Sequence, residues 1–537
     1  MNGKKAMRVG VIGAGIISEI YLKNMIGRFS QLEVVAIAAR HIESAQKRAA
    51  QFGIRACTVE ELLADPQIEL VVNLTPVGAH YALIRAALLA GKHVYTEKTL
   101  TDDVEKAKEL LELARERGLY LGSAPDTFLG AAWQTARFAI DSGALGEIQS
   151  FAISANRDND VVLSLFAFLR EPGAGVVYDY GVYYLTALVS LLGPVERVGG
   201  IVTAPHRTHK NVMPSSPDYG KVMDTPNESQ VSAVLRLRSG ISGTLHIDSE
   251  SNRIDEAYFA IYGERGILYL TNPNEFGGTV RLVPNSVLVR RRGEEESLIN
   301  FSPYDDNARG LGPAEMAEAI RAGRKNRASK ELAYHVEEVL TALLRGGEKG
   351  SFVDIASTCD LPESMQARTV EIERLERAGA AREDAAGARC PVQIALQVKS
   401  AVNMLSFYCR GLGLQRAVTL TCEELLEQLE RSGHGDEQTL QRLRTLGDQP
   451  WADFIEAAPH QYIALFGAQG QTQSGDLPGA RETVPIRLWV ADIHAAWDAV
   501  TANGVKPDTE IAPGEGGALA FMLTDPDGNR LTFTERA

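Results

Sequence analysis

The chain is short of cysteine, of positive charge and of long apolar runs. Its five cysteines (Cys57, Cys359, Cys390, Cys409 and Cys422) are scattered, odd in number and never spaced C-x-x-C. That argues against a disulfide framework or a cysteine zinc site and fits reduced cytosolic thiols. No apolar run reaches the ~18 residues of a membrane span, and no leader-like segment precedes the first apolar strand. A cytoplasmic protein without a membrane partner is expected. With 55 Lys and Arg against 69 Asp and Glu the net charge is -14, which argues against nucleic acid as a partner. At 537 residues the chain is too long for one core, and roughly two to four domains are expected.

What is present begins at Met7. Arg8 to Ile12 reads as a buried strand, Gly13-Ala14-Gly15 as a tight turn, and Ile16 onward as a helix. This is the phosphate-binding turn of a Rossmann domain. Gly13 permits the turn, Gly15 lets backbone approach a pyrophosphate, and the helix start at Ile16 and Ile17 supplies N–H groups and positive dipole. Ser18 takes the place of the third glycine. A second strand, Leu32 to Ala38, ends in Ala39-Arg40 rather than in the acid that accepts from a ribose hydroxyl in NAD enzymes. A small residue followed by a guanidinium leaves room for a 2′-phosphate, so NADP is favoured over NAD. A third strand, Glu69 to Leu74, runs into Thr75-Pro76 with His80 beyond. A fourth, Lys92 to Tyr95, runs into Thr96-Glu97-Lys98-Thr99. Strands alternating with helices mean a parallel, doubly wound sheet, with ligands at the C-terminal strand ends.

The succession GAG, TP-x-x-x-H and EK resembles the Gfo/Idh/MocA oxidoreductases, whose members typically read E-K-P; here Thr99 stands in place of the proline. The resemblance implies NAD(P) held by Gly13, Gly15, Ile16, Ile17, Arg40, Thr75, Pro76, His80, Glu97 and Lys98. It places Lys98 at nicotinamide and substrate.

Alternating strands follow at Gln149–Ala155, Gln230–Arg238, Ser242–Ile247, Glu256–Tyr262 and Gly266–Leu270, a mostly antiparallel sheet that would carry the substrate. In Glu171–Pro194, Gly173 and Gly175 read as a flexible entry and Tyr184 onward as an amphipathic helix. Asp179 and Tyr183 lie four apart and share a face if that helix has already begun. By themselves they could equally be a helix N-cap and a core aromatic. The family pattern is D-x-x-x-H, or D-x-x-x-Y in the branch with glucose–fructose oxidoreductase, and this chain resembles the tyrosine branch. Oxidising an alcohol needs a base for the hydroxyl proton. Tyr183 is ranked as proton carrier, Lys98 as electrostatic partner, and Asp179 as the group that orients substrate or lysine. Arg157, Asp158, Asn159 and His246 are polar candidates for hydroxyl contacts. Asn307–Leu344 resembles the family's closing helices.

Arg368–Arg389 is charged and alanine-rich and reads as a helical or semi-flexible connector. Beyond it, strand Val392–Val398 and helix Ala401–Gly411 are echoed by Ile486–Gly504, and Phe521–Glu535 reads as a hairpin around Asp525-Pro526-Asp527-Gly528-Asn529. This resembles a vicinal-oxygen-chelate, or glyoxalase-like, domain with a helical insertion at Cys422–Phe454. Its four metal-ligand positions would fall on Gln393, Ala464, Pro485 and Thr532, a set that cannot make a site, so no metal is expected. His434, His460 and His494 read as surface residues.

The expected architecture is therefore an α/β Rossmann domain (1–128), an α+β open-sheet substrate domain (129–367), a linker (368–389) and a βαβββ-repeat glyoxalase-like α+β domain (390–537). The expected function is hydride transfer between NAD(P) and a ring hydroxyl of a sugar, cyclitol or glycoside. A redox-neutral glycosidase working by transient oxidation and a nucleotide-binding sensor are the alternatives. An open sheet leaves an edge and a face that usually need a partner, so a homo-oligomer is expected.

Overall fold

A computed structural model describes residues 5–251, 257–286, 291–292, 295–377, 392–398, 400–432, 437, 440–441, 444, 450–458, 461–466, 485–514 and 517–536. The chain forms two compact units, Met1–Ser297 with Tyr304–Ser364, and Leu298–Pro303 with Met365–Ala537.

The first unit opens with β1 (Met7–Ile12), α1 (Ile17–Gly27), β2 (Leu32–Ala38), α2 (Ile42–Phe52), β3 (Arg55–Cys57) and α3 (Val59–Ala64). It continues with β4 (Leu70–Asn73), α4 (His80–Leu89), β5 (His93–Thr96), α5 (Val104–Glu116) and β6 (Leu121–Ser123). The strands make a six-stranded sheet in the order β3-β2-β1-β4-β5-β6, parallel throughout. Apart from Arg8 and Asn73, β1 and β4 are apolar and buried because helices cover both sheet faces. Ala38, Ile12, Asn73, Thr96 and Ser123 stand in one row across the sheet. The residues that follow, Ala39, Gly13, Leu74, Glu97 and Ala124, therefore leave the sheet along a single edge.

Next come α6 (Ala131–Asp141), β7 (Ile148–Asn156), α7 (Asn159–Leu165), α8 (Val176–Asp179), α9 (Gly181–Leu192) and β8 (Val195–Thr203). A hairpin of β9 (Thr208–Lys210) and β10 (Val222–Asp224) precedes β11 (Gln230–Leu237), β12 (Ser242–Asp248), β13 (Tyr258–Gly263), β14 (Gly266–Leu270) and β15 (Val280–Ser286). The sheet runs β15-β14-β13-β7-β12-β11-β8, with Val353–Asp354 beyond β8. It is antiparallel except where β7 and β12 pair in parallel. Burial alternates along β11; α10 (Leu311–Ala322) and α11 (Lys330–Lys349) follow the sheet, and α11 packs on β8 and α9. The other face exposes Ile201, Val234 and Tyr258.

Three sequence expectations change here. The helix expected from Tyr184 begins at Gly181 and is not amphipathic: Val182 and Tyr184 to Leu191 are all buried, because α9 is enclosed by its neighbours. The strand expected from Glu256 begins at Tyr258; residue 256 lies outside the described residues. Gly173 has φ +84, but Gly175 serves close approach rather than flexibility. A Cβ there would sit 2.1 Å from the Glu228 carboxylate, whose Oε1 accepts from Val177 N at 3.0 Å.

In the second unit, Val392–Gln397 pairs in parallel with Gln461–Phe466, followed by Pro450–Ala458 and Gln415–Thr421. Ile486–Val490 likewise pairs in parallel with Arg530–Glu535, followed by Leu519–Thr524 and Ala512–Pro513. Each half thus repeats one strand, one helix and a three-stranded return. The connector expectation is corrected at Ile372–Arg377, a strand antiparallel to Ile486–Val490 that buries Ile372; residues 378–391 lie outside the described residues. The helical insertion ends by Pro450, where a strand begins. At the Asp525 turn, Oδ1 accepts from Asp527 N and Asn529 N, and Oδ2 from Tyr408 Oη at 3.1 Å. Ala464 and Thr532 lie on strands, Pro485 immediately precedes one, and the Gln393 side chain is outside what is described. His494 is exposed; His434 and His460 lie outside the described residues.

Candidate active site

At the edge where β1 ends, Gly13 has φ +113, and a Cβ on it would lie 2.7 Å from the Leu74 carbonyl. Both facts require glycine. Gly13 N donates to Ala38 O at 2.8 Å, pinning the turn to β2. A Cβ built on Gly15 would meet nothing within 4 Å, so open space lies over the turn, and Ile16 beside it is 86% exposed. No side chain caps α1, and the N-terminal turn is available to an anion. Buried Ser18 donates to Gly15 O at 2.6 Å, so it ties the helix to its own turn. Arg48, which sequence reading did not single out, pairs with Glu19 at 2.9 Å and also donates to Gly15 O. Arg40 stands exposed two residues beyond β2. This turn, with its open space and uncapped helix, fits the pyrophosphate of a dinucleotide.

Beyond β4, Thr75 Oγ1 donates to Asn73 Oδ1 at 2.8 Å, and Asn73 Nδ2 donates to Thr96 Oγ1 at 3.0 Å. Pro76 opens the turn at Val77–Ala79. His80 is fully buried. Its ring nitrogens lie 2.8 Å from Thr75 O and 2.8 Å from Thr99 O, so it ties the two loops together rather than facing the open edge. Burial pushes its pKa down, against the pull of those carbonyls.

Beyond β5, Glu97 Oε1 accepts from Tyr21 Oη on α1 at 2.7 Å, and Oε2 accepts from Lys98 N at 3.1 Å. The Lys98–Thr99 peptide is cis. Thr101 N and Oγ1 both donate to Glu337 of α11, at 2.9 and 2.5 Å. The lysine loop is therefore braced from below, and burial pushes the Glu337 carboxyl up to about 7.

Lys98 Nζ donates to Asp179 Oδ1 at 2.6 Å and to Asp179 O at 3.1 Å. It also lies 5.6 Å from the centroid of the Tyr183 ring. The three sequence-derived residues thus form one cluster. Asp179 ends α8 and Tyr183 belongs to α9; Tyr180 separates the two helices. Burial opposes charge on Lys98, yet Asp179 and Tyr183 more than offset this and raise its pKa. Burial likewise pushes Asp179 up, but Lys98 and Arg157 hold it down at about 2. Burial raises the Tyr183 phenol above its ordinary value, with Lys98 pulling the other way. At neutral pH the site holds an ammonium, a carboxylate and a neutral phenol.

Of the four hydroxyl-contact candidates only Arg157 joins the cluster, through Asp179 Oδ2 at 2.6 Å. Asp158 caps α7, the Asn159 N–H donates to Ser249 O, and His246 pairs with Ser232 on the exposed side of the sheet. Arg309 also acts electrostatically on Tyr183; its guanidinium is held by Asn274 and Asn307.

Residues 7–124 match the Gfo/Idh/MocA profile, described as an oxidoreductase family with an NAD-binding Rossmann fold. Residues 133–269 match a Gfo/Idh/MocA C-terminal domain, and residues 391–533 the glyoxalase/bleomycin resistance protein/dioxygenase superfamily. The dTDP-3,4-didehydro-2,6-dideoxy-alpha-D-glucose 3-reductase of Streptomyces violaceoruber is 30% identical over 342 residues, 59% of this chain and 95% of that protein. The scyllo-inositol 2-dehydrogenase (NADP(+)) of Bacillus subtilis is 26% identical over 218 residues, 40% of this chain and 61% of that one. The solved structure of levoglucosan dehydrogenase with NADH and L-sorbose shares the fold at TM-score 0.57 and 19% identity, covering 65% of this chain and 99% of that one.

Proposed function

The chain belongs to the Gfo/Idh/MocA family of NAD(P)-dependent oxidoreductases, and from that premise we propose that it moves a hydride between nicotinamide and a ring hydroxyl, such as C3, of a sugar, cyclitol or glycoside. The observation that carries this reading is the Lys98–Asp179–Tyr183 cluster at the strand-end edge that also bears Gly13. Residues 1–128 would bind the cofactor and residues 129–367 the substrate.

The bound nicotinamide would supply or accept the hydride. Tyr183 carries the proton. As a neutral phenol it is ready to donate to a carbonyl oxygen, which suits ketone reduction at neutral pH. The Lys98 ammonium stabilises the negative charge that develops on that oxygen. Asp179 keeps the ammonium in place, and Glu97 anchors the lysine loop to α1 through Tyr21. In the opposite direction Tyr183 must first lose its proton, and the adjacent ammonium lowers that cost.

The exposed Arg40 beside Ala39 supports NADP over NAD as cofactor. The exposed apolar residues of the open sheet face support a homo-oligomer, and we place the protein in the cytoplasm. Residues 390–537 act as a covering, structural or oligomerising module without a metal.

The test is turnover by the purified protein, with Lys98→Ala beside it. Free sugars and cyclitols are offered with added NAD(P), and chromogenic glycosides without it. Cofactor reduction or oxidation lost in the variant supports the dehydrogenase. Aglycone release without added cofactor, also lost in the variant, would replace it with a redox-neutral glycosidase. Cofactor binding with neither activity would leave a sensor.

A further inference from the structure

Asp179 carries two cations, and the chemistry of hydride transfer accounts for only one of them. Arg157 follows the last residue of β7, and its backbone N–H donates to Asp248 O at 3.0 Å. Its Nη1 donates to Asp179 Oδ2 at 2.6 Å, and the two side chains are 13% and 14% exposed. Its Nε donates to Ser249 Oγ at 2.9 Å, and its guanidinium lies 5.2 Å from the ring centroid of Tyr180, the residue between α8 and α9. The guanidinium is thus fixed from three sides: the end of β12, the helix junction and the carboxylate itself.

We propose that Arg157 is a positioning residue of the hydride-transfer site, which holds the Asp179 carboxylate as an anion in one orientation so that its other oxygen stays on the Lys98 ammonium. The proposal rests on the reading of Lys98, Asp179 and Tyr183 given above. A carboxylate with one cation can turn about its last torsion and offer either oxygen. A carboxylate with a different cation on each oxygen cannot. Arg157 reaches Asp179 and Ser249 through two separate nitrogens, a fork that a lysine cannot reproduce.

The same contact governs protonation. Burial pushes Asp179 toward its neutral form; Lys98, from the end of β5, and Arg157, from the end of β7, oppose it. Tyr183 on α9 and Glu97 beside Lys98 are the other titratable groups around the lysine, and Glu228 is the acid that feels Arg157. Without Arg157, one cation opposes the burial, and Asp179 takes a proton at higher pH. A neutral carboxyl no longer anchors Lys98 as an ion pair.

The experiment compares pH profiles of kcat/KM for the full-length wild type, Arg157→Gln and Arg157→Lys, with NAD(P) affinity measured alongside. In Arg157→Gln the acid limb should move up by about one pH unit or more, and turnover on that limb should fall about tenfold, while cofactor affinity stays within about twofold. Arg157→Lys keeps the charge and should restore most of the limb. An acid limb unmoved in Arg157→Gln, or moved equally in both variants, overturns the proposal. If Arg157→Gln does not fold, Arg157→Lys decides alone: loss of the fork should still raise the limb by a few tenths of a unit, and a limb identical to wild type overturns it. A thermal double-mutant cycle between Arg157→Lys and Asp179→Asn needs no turnover, and additivity there also overturns the proposal. Absence of any sugar-dependent redox turnover with coupling intact would instead count against the proposed reaction.

Discussion

Lys98 and Asp179, 81 residues apart, meet through a 2.6 Å charge-assisted bond with both side chains largely withdrawn from water. The lysine is thereby fixed as an ammonium facing Tyr183. Lys98→Ala should lower kcat by about 10²–10³ through loss of charge stabilisation. Tyr183→Phe, which removes the transferable proton, should cost about 10²–10⁴. Both variants should bind NAD(P) with near wild-type affinity in a fluorescence titration, because neither residue builds the glycine turn. Retained turnover in both would remove the site assignment.

The direction of the reaction sets its pH dependence. Asp179 is held at about 2 and Lys98 above its ordinary value, so neither titrates through the neutral range. Tyr183 is raised and remains a phenol there. Ketone reduction should therefore stay level across neutral pH and decline in alkali and again well below neutrality, where Asp179 takes a proton, whereas alcohol oxidation should climb toward alkali as the phenol ionises. Initial rates in both directions over one buffer series check this. A reduction rate that falls between about pH 6 and 7, where a histidine titrates, would move the proton to another group.

Glu337 gives a second pH signature, in stability. Its carboxyl is buried beneath the lysine loop and raised to about 7, above the usual 4.5. The native state therefore favours the protonated form. Its contribution is complete below the unfolded pKa and is lost as pH rises through the folded value. Glu337→Gln, which keeps a carbonyl oxygen for Thr101, should raise the thermal midpoint at pH 8 relative to wild type and do so much less at pH 5. The same difference at both pH values would refute a charge that folding penalises.

Much of this was legible because period and punctuation were strong. The apolar runs at Arg8–Ile12 and Leu32–Ala38 and the Gly13-Ala14-Gly15 turn specify one packing, and the row from Ala38 to Thr96 follows from it. By themselves Asp179 and Tyr183 read equally well as a helix cap and a core aromatic; they and Lys98 could be picked out because the E-K and D-x-x-x-Y patterns resemble the family's. The Arg157 link could not, since nothing local says which acid an arginine at the end of a strand will meet. The resemblance implies His80 at the cofactor, and no sequence signal shows what the structure adds, that its two ring nitrogens lie on the carbonyls of Thr99 and Thr75. Ile372–Arg377 reads as a connector because two charged residues follow each apolar one, a spacing of three that is not a strand period; a register shift between Ile372 and Arg374 lets it pair with Ile486–Val490 as a strand. Gly175 is glycine on account of Glu228, 53 positions later, which no local window contains.

The glycine turn makes the cofactor half of the site testable without any substrate. Gly13→Ala would place a methyl 2.7 Å from the Leu74 carbonyl at φ +113, so the turn must open, at a cost of about 1–3 kcal/mol. Cofactor affinity should fall at least tenfold, NAD and NADP alike, because the pyrophosphate seat is common to both. Arg40→Ala acts differently. If its exposed guanidinium meets a 2′-phosphate, as proposed, NADP affinity should fall by about tenfold, or ~1.4 kcal/mol, while NAD affinity changes little. The Arg40 effect should shrink as salt rises, as expected of an exposed charge against a phosphate, whereas the Gly13 effect should not. Isothermal titration of both variants with both cofactors at two salt concentrations separates these cases. Equal losses for NAD and NADP in Arg40→Ala would mean that Arg40 stacks on the adenine instead, and the preference for NADP would go with it.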